Sequence, residues 1–217
     1  VLSQGRLIKS NDDQVLRIEA SRKTAAPYSL LFTESTAYRS ADVQQLFVKY
    51  LGLRPGTDEL RAGTVNSFGN LVLTRYQQYF KGIKVENASY TLAEKDGRAS
   101  YMTGDFLSID PSVSITPTLT EDAARTKAWL FMDGAEPDDA VKAKGEIIFC
   151  ENGLKKELDG KPRLAYKFFI DSRTKALTHE NVYVDAQTGE ILFTDALIKM
   201  GCYKTEKKND AATPILS

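Results

Sequence analysis

Leu164-Ala165-Tyr166-Lys167-Phe168-Phe169-Ile170-Asp171 is the most regular stretch of this chain. Leu164, Tyr166, Phe168 and Ile170 occupy every second position, interleaved with Ala165, Lys167, Phe169 and Asp171. Successive side chains of a strand point to opposite faces, so this spacing predicts a sheet with one well-buried face. The flanking sequence agrees. Residues 145–150 read as a strand, and Asp159-Gly160 reads as the turn that follows. Residues 181–186 and 190–194 read as a hairpin closed by Gln187-Thr188-Gly189. Upstream, Thr120 is expected to cap a helix with Glu121 and Asp122 in its first turn. Ala124, Ala128 and Phe131 are expected on one face of that helix. Residues 133–144 read as a polar loop.

The same order, helix before strands, occurs earlier in the chain. Residues 40–51 read as a helix with Ser40 as N-cap and Asp42 in the first turn. Val43, Leu46, Phe47, Tyr50 and Leu51 form its apolar stripe, and Gly52 ends it. Strands follow at residues 71–80, 83–92 and 98–106, with turns at Lys81-Gly82 and Lys95-Asp96-Gly97. Residues 110–117, with two prolines, read as a linker. Helices and strands are segregated rather than alternating singly, which predicts an α+β fold of two helix-plus-antiparallel-sheet units. The expected divisions are an N-terminal segment (1–39) with short strand-like pieces such as residues 28–32, a first domain (40–109), a linker (110–118), a second domain (119–198) and a polar tail (199–217).

Composition narrows the function. The chain has 217 residues, 42% of them hydrophobic, enough for a real core. Lysine plus arginine and aspartate plus glutamate number 29 each, which argues against a nucleic-acid binder. No apolar run approaches the roughly 18 residues that a membrane helix needs. Two cysteines, Cys150 and Cys202, permit one disulfide and require none.

Catalytic patterns do not emerge. His179 is the single histidine, and His179-Glu180-Asn181-Val182-Tyr183 is not an H-E-x-x-H zinc motif. It is expected to be an ordinary strand residue. A Cys150–His179 nucleophile pair can be drawn, but Cys150 ends an apolar strand, where a thiol behaves as a small hydrophobe. Glu136, Asp138 and Asp139 lack the ligand alternation and glycine of a calcium loop and read as a solvated loop. No catalytic residue, cofactor or metal ligand is therefore assigned.

The run Thr74-Arg75-Tyr76-Gln77-Gln78-Tyr79-Phe80-Lys81-Gly82-Ile83-Lys84-Val85 resembles the signature of the fungalysin/thermolysin propeptide domain. Its continuation, Glu86-Asn87-Ala88-Ser89-Tyr90, then Asp96-Gly97 and Gly104, resembles that family's next hairpin. The second unit resembles a PepSY domain, through Thr120 to Ala124, then Leu164 to Phe168, then Val184-Asp185-Ala186-Gln187-Thr188-Gly189-Glu190-Ile191-Leu192. The two resemblances span about residues 41–198, the prodomain arrangement of thermolysin-like peptidases. They imply a secreted or periplasmic, non-catalytic propeptide that templates folding of a zinc metallopeptidase and temporarily inhibits it. The partner is then the peptidase's catalytic domain, in cis or in trans after cleavage, lying outside this chain. Arg75, Tyr76, Gln78, Tyr79, Gly82, Val85, Asp185 and Gly189 are the signature positions and candidate peptidase contacts. For Arg75, Tyr76 and Gln78 a purely structural role weighs equally. Cys202 is a candidate latency thiolate for the enzyme's zinc. A stand-alone secreted inhibitor or binding module of the same fold is the alternative, and an uncharacterised enzyme is a third.

Overall fold

The computed structural model of the chain describes residues 6–20, 26–134, 136–137, 142–151, 161–171 and 179–196. Asp159-Gly160, Asp138, Asp139 and the tail with Cys202 lie outside the described residues. Among the described residues the chain is mostly strand with two short helices, an α+β molecule dominated by antiparallel pairing. The strands are β1 (Arg6–Ile8), β2 (Val15–Ala20), β3 (Pro27–Phe32), β4 (Asp58–Phe68), β5 (Leu71–Phe80), β6 (Ile83–Lys95), β7 (Arg98–Gly104), β8 (Glu146–Cys150), β9 (Arg163–Asp171), β10 (His179–Asp185) and β11 (Ile191–Ala196).

They form one connected sheet rather than two separate ones. Its path runs β1-β2-β3-β7-β6-β8-β9-β10-β11, and the β4–β5 hairpin adds to the other side of β6. The join is narrow: β6 meets β8 in parallel through the single pair Val85–Phe149. Every other strand pairing is antiparallel.

The first helix, α1, is a composite: a 3-10 turn at Ser40–Asp42, an α-helical Val43–Leu46 and a wider π-turn at Phe47–Leu51. It buries Val43, Leu46, Phe47 and Leu51, as the apolar spacing requires, and Gly52 closes it in the left-handed conformation. The cap differs from expectation. Arg39 is the N-cap, and its backbone N–H donates to Asp42 Oδ2 at 2.9 Å. The Ser40 N–H is instead taken by Glu94 Oε1 on β6, at 2.8 Å. A carboxylate on the sheet thus answers the positive end of the helix.

The second helix, α2 (Glu121–Met132), starts as expected, with Thr120 Oγ1 accepting from the Ala123 N–H. Its buried face is Ala124, Arg125, Ala128, Trp129 and Met132. Phe131 falls at the edge of that face and is 45% exposed, so the expected stripe was rotated by one row.

One core packs α1 against β2 to β7, with Phe47 edge-on to Tyr76 at 5.2 Å. The N-terminal segment contributes more than short pieces: Val15, Ile18, Leu30 and Phe32 all belong to this core. A second core packs α2 against β8 to β10, and it also takes in Phe80, Val85 and Ala88 from the β5–β6 hairpin. β4 was not expected as a strand. It lies at the sheet edge with nine of its eleven residues exposed, so it lacks the buried alternation that announces a strand. Glu59, Arg61 and a bulge between Ala62 and Val65 blunt that edge against unwanted pairing.

Candidate functional site

The signature run folds as β5, the turn and the start of β6. Lys81 (φ 47°) and Gly82 (φ 82°) form the two-residue turn that joins Phe80 to Ile83. Two consecutive positive φ angles match the right-handed twist of a hairpin, which favours glycine at the second position. Beyond the turn the ladder is interrupted. Tyr79 pairs with Lys84 but Gln77 pairs with Ser89, so residues 85–88 of β6 stand opposite Gln78 alone. This large bulge turns at Asn87, whose φ is 58°. Asparagine tolerates that conformation better than most residues do.

Two glutamines stabilise the bulge and the chain beside it. Gln77 Nε2 donates to the carbonyls of Val85 (2.7 Å) and Ala88 (2.8 Å), at the two ends of the stretch where the β5–β6 ladder is broken. Gln78 is fully buried. Its Nε2 donates to Leu107 O at 2.8 Å and its Oε1 accepts from Leu107 N at 2.9 Å, a closed pair with the backbone after β7. Tyr76 is buried in the first core and Val85 in the second.

Arg75 and Tyr79 point the other way. Arg75 is exposed and its Nε donates to Ser89 Oγ at 3.2 Å. Tyr79 is half-buried under the Arg61 guanidinium, 4.0 Å from the ring centroid. The signature therefore splits by strand parity: Tyr76, Gln78 and Val85 are inside, while Arg75 and Tyr79 face outward.

The bulge also builds the contact between the halves of the sheet. Glu86 Oε1 receives Lys167 Nζ at 2.9 Å from β9 and Tyr183 Oη at 3.1 Å from β10, while Lys84 Nζ lies 2.9 Å from Oε2. Burial works to raise the Glu86 pKa, but Lys167 and Lys84 prevail and hold it below the usual carboxylate range. Phe80 meets Phe149 edge-on at 5.3 Å beside it. The connector is pinned as well, by Arg54 Nη2 to Ile109 O (2.7 Å) and Lys81 Nζ to Pro111 O (2.6 Å). At its far end the N–H groups of Thr118 and Leu119 both reach Ala186 O.

Asp185 and Gly189 behave as local turn chemistry requires. Asp185 Oδ1 accepts from the N–H groups of Gln187 (2.8 Å) and Thr188 (2.9 Å), and Gly189 turns with φ 74°. His179 starts β10, stacked on Phe169 at 5.8 Å, with Nδ1 3.1 Å from Asp171 Oδ1. Cys150 is buried, and burial is the main cause that pushes its thiol up to about 12. That thiol is held protonated, which disfavours nucleophilic use. Among the described residues no group of histidine, cysteine and acidic side chains could hold a metal ion.

Sequence reasoning overlooked three residues that organise this structure: Gln77, Glu86 and Asp12. Asp12 Oδ2 collects Lys49 Nζ (2.5 Å), Tyr50 Oη (2.5 Å) and Tyr38 Oη (2.8 Å), tying the β1–β2 loop to α1. Only the Glu86-Asn87 pair interrupting a strand pattern could have signalled the bulge.

Residues 61–106 match the Fungalysin/Thermolysin Propeptide Motif. That stretch runs from within β4 to just past β7, so this part of the chain carries a propeptide motif and not a catalytic one. No curated protein matches the chain. Among solved structures, the Bacillus megaterium YpeB C-terminal domain is similar, at 14% identity over 90% of each chain, with a TM-score of 0.41.

Proposed function

We propose that this chain is the propeptide of a secreted or periplasmic thermolysin-like zinc metallopeptidase, acting as its folding template and temporary inhibitor. The observation that carries this reading is the propeptide motif at residues 61–106. The motif's buried members fix a rigid sheet while its exposed members remain free to meet a partner, which is what a template requires. In this reading residues 40–109 are the propeptide domain, 110–118 the linker and 119–198 a PepSY domain. Cys202 is in this reading a candidate ligand for the peptidase's zinc. The energetics are adequate. A tethered partner at an effective concentration near ~1 mM, bound with a Kd of ~1 nM, stabilises the folded enzyme by roughly 8 kcal/mol. That is comparable with the whole stability of a domain.

The test is refolding. A denatured thermolysin-type catalytic domain should recover more zinc-dependent activity with this chain present, and the mature enzyme should be inhibited by it. Equal recovery and no inhibition would overturn the reading. Inhibition of mature enzyme with no gain in refolding would favour the stand-alone inhibitor instead.

A further inference from the structure

The sheet of the first core has two faces, and the described residues cover only one. α1 packs on the inner face, where Tyr76, Tyr90, Leu92 and Met102 are buried. On the outer face the register aligns Leu73, Ala93, Tyr101 and Leu31 in one row across β5, β6, β7 and β3. All four are partly or well exposed, as is Phe68 at the end of β4, with 63% of its surface free. Arg75 stands in the adjacent row, across from Thr91. Two cations of the same sheet are matched within it: Arg61 pairs with Glu59 at 2.7 Å and Arg17 with Glu19 at 3.0 Å. Among the described residues Arg75 makes no ion pair, only its bond to Ser89.

An arginine without an acidic partner, set beside a row of leucine, alanine and tyrosine, has the composition of an interface centre. At strand spacings of about 4.8 Å and about 3.3 Å per residue, the five strands β4, β5, β6, β7 and β3 present roughly 600 Å². That approaches the roughly 800 Å² per partner of a standard interface. Four of its five strands lie wholly or mostly inside the segment that matches the propeptide motif, and β3 with Leu31 lies outside it.

We infer that this outer face docks the peptidase's catalytic domain, with Arg75 meeting a carboxylate of the enzyme and the Leu73–Tyr101–Leu31 row meeting apolar surface around it. The inference rests on the propeptide reading and adds to it the place and chemistry of contact. Residues that the signature shares but buries, such as Gln78 and Val85, shape this face without touching the partner.

The test measures the affinity of the full chain for a thermolysin-type catalytic domain at two salt concentrations. Arg75→Glu should weaken binding at least tenfold and remove most of its salt dependence. Tyr101→Ala should weaken binding without altering that dependence, and Arg75→Lys should restore part of it. Leu130→Ala, on the exposed side of α2, should bind as the parent does. Circular dichroism confirms folding of each variant, and Tyr101→Ala and Arg75→Lys decide the matter if Arg75→Glu is unfolded. Unchanged affinity in folded Arg75→Glu overturns the docking face and leaves the propeptide reading standing. No binding by the parent chain overturns both. Self-association of the parent that Arg75→Glu abolishes, without peptidase binding, would assign the face to a second copy of the chain.

Discussion

β9 and β6 are both long interior strands, yet they are built on different logic. β9 runs nine residues in unbroken register with β8 and β10, and Leu164, Tyr166, Phe168 and Ile170 enter one core. β6 runs thirteen residues, breaks register at 85–88, and divides its side chains between two cores. The first is held by apolar burial repeated at period two. The second depends on polar side chains, Gln77 and Gln78, that satisfy backbone left over where regular pairing stops. Regular strands therefore suffer chiefly from cavities, whereas the bulged region should be sensitive to single amides and single methyl groups.

The largest expected effect is on the regular side. Phe168 is fully buried, and Phe168→Ala should cost about 3–5 kcal/mol through lost burial and the cavity left behind. Denaturant unfolding gives the value, and a loss below about 1 kcal/mol would mean that apolar burial does not hold this half together.

Next comes a methyl group on the bulged side. A Cβ on Gly104 would sit 2.0 Å from Ser89 O and 2.7 Å from Tyr90 Cα, both backbone atoms of β6. Neither can swing aside as a side chain would. Gly104→Ala should therefore cost about 2–3 kcal/mol by forcing β7 away from β6. Thermal unfolding that leaves the midpoint unchanged would show that the two strands are free to separate there.

A buried amide should matter less than that forced separation. Gln78→Leu keeps the volume and strands the N–H and C=O of Leu107 inside the protein. The expected cost is about 1–3 kcal/mol, with faster hydrogen exchange at Leu107. Unaltered exchange would mean that the connector is held by Arg54 and Lys81 alone.

The same contrast explains what the sequence could reveal. β9, the β10–β11 hairpin, both helices and the Lys81-Gly82 turn were legible because a local rule governs each: a two-residue period, a helical stripe, a capping threonine, a positive φ. β4 was illegible because an exposed edge strand has no buried face to impose a period. The bulge was illegible because its cause is distant, the need for Val85 to reach Phe149 some sixty residues on in the chain. Within the run 74–85 the sequence could not separate Arg75 and Tyr79, outside, from Tyr76, Gln78 and Val85, inside. Strand parity decides that, and the parity of β5 is set by α1 covering one face.

The smallest effect appears only in acid and compares one carboxylate from each half. Asp12 lies under the first core and Glu86 at the edge of the second, and both titrate below their ordinary values. For Asp12, burial opposes the charge, but donors from Lys49, Tyr50, the Gln14 backbone and Tyr38 outweigh it. For Glu86, burial again opposes, and Lys167 and Lys84 outweigh it. A carboxylate whose folded-state pKa is depressed stabilises the fold above its unfolded value and loses that contribution as pH falls toward the folded value. The window opens near 3.8 for Asp12 and near 4.5 for Glu86 and extends downward. Urea midpoints should thus be flat from pH 7 to about 5 and fall below that. Asp12→Asn and Glu86→Gln should each start less stable and show a shallower fall. The sharper outcome is regional. Hydrogen exchange at pH 3.5 should relax first around β10 in the parent chain, because the Glu86 window opens at the higher pH. Relaxation that begins instead at the β1–β2 loop would mean that the Asp12 cluster is the weaker of the two, and that the second half depends on its apolar core alone.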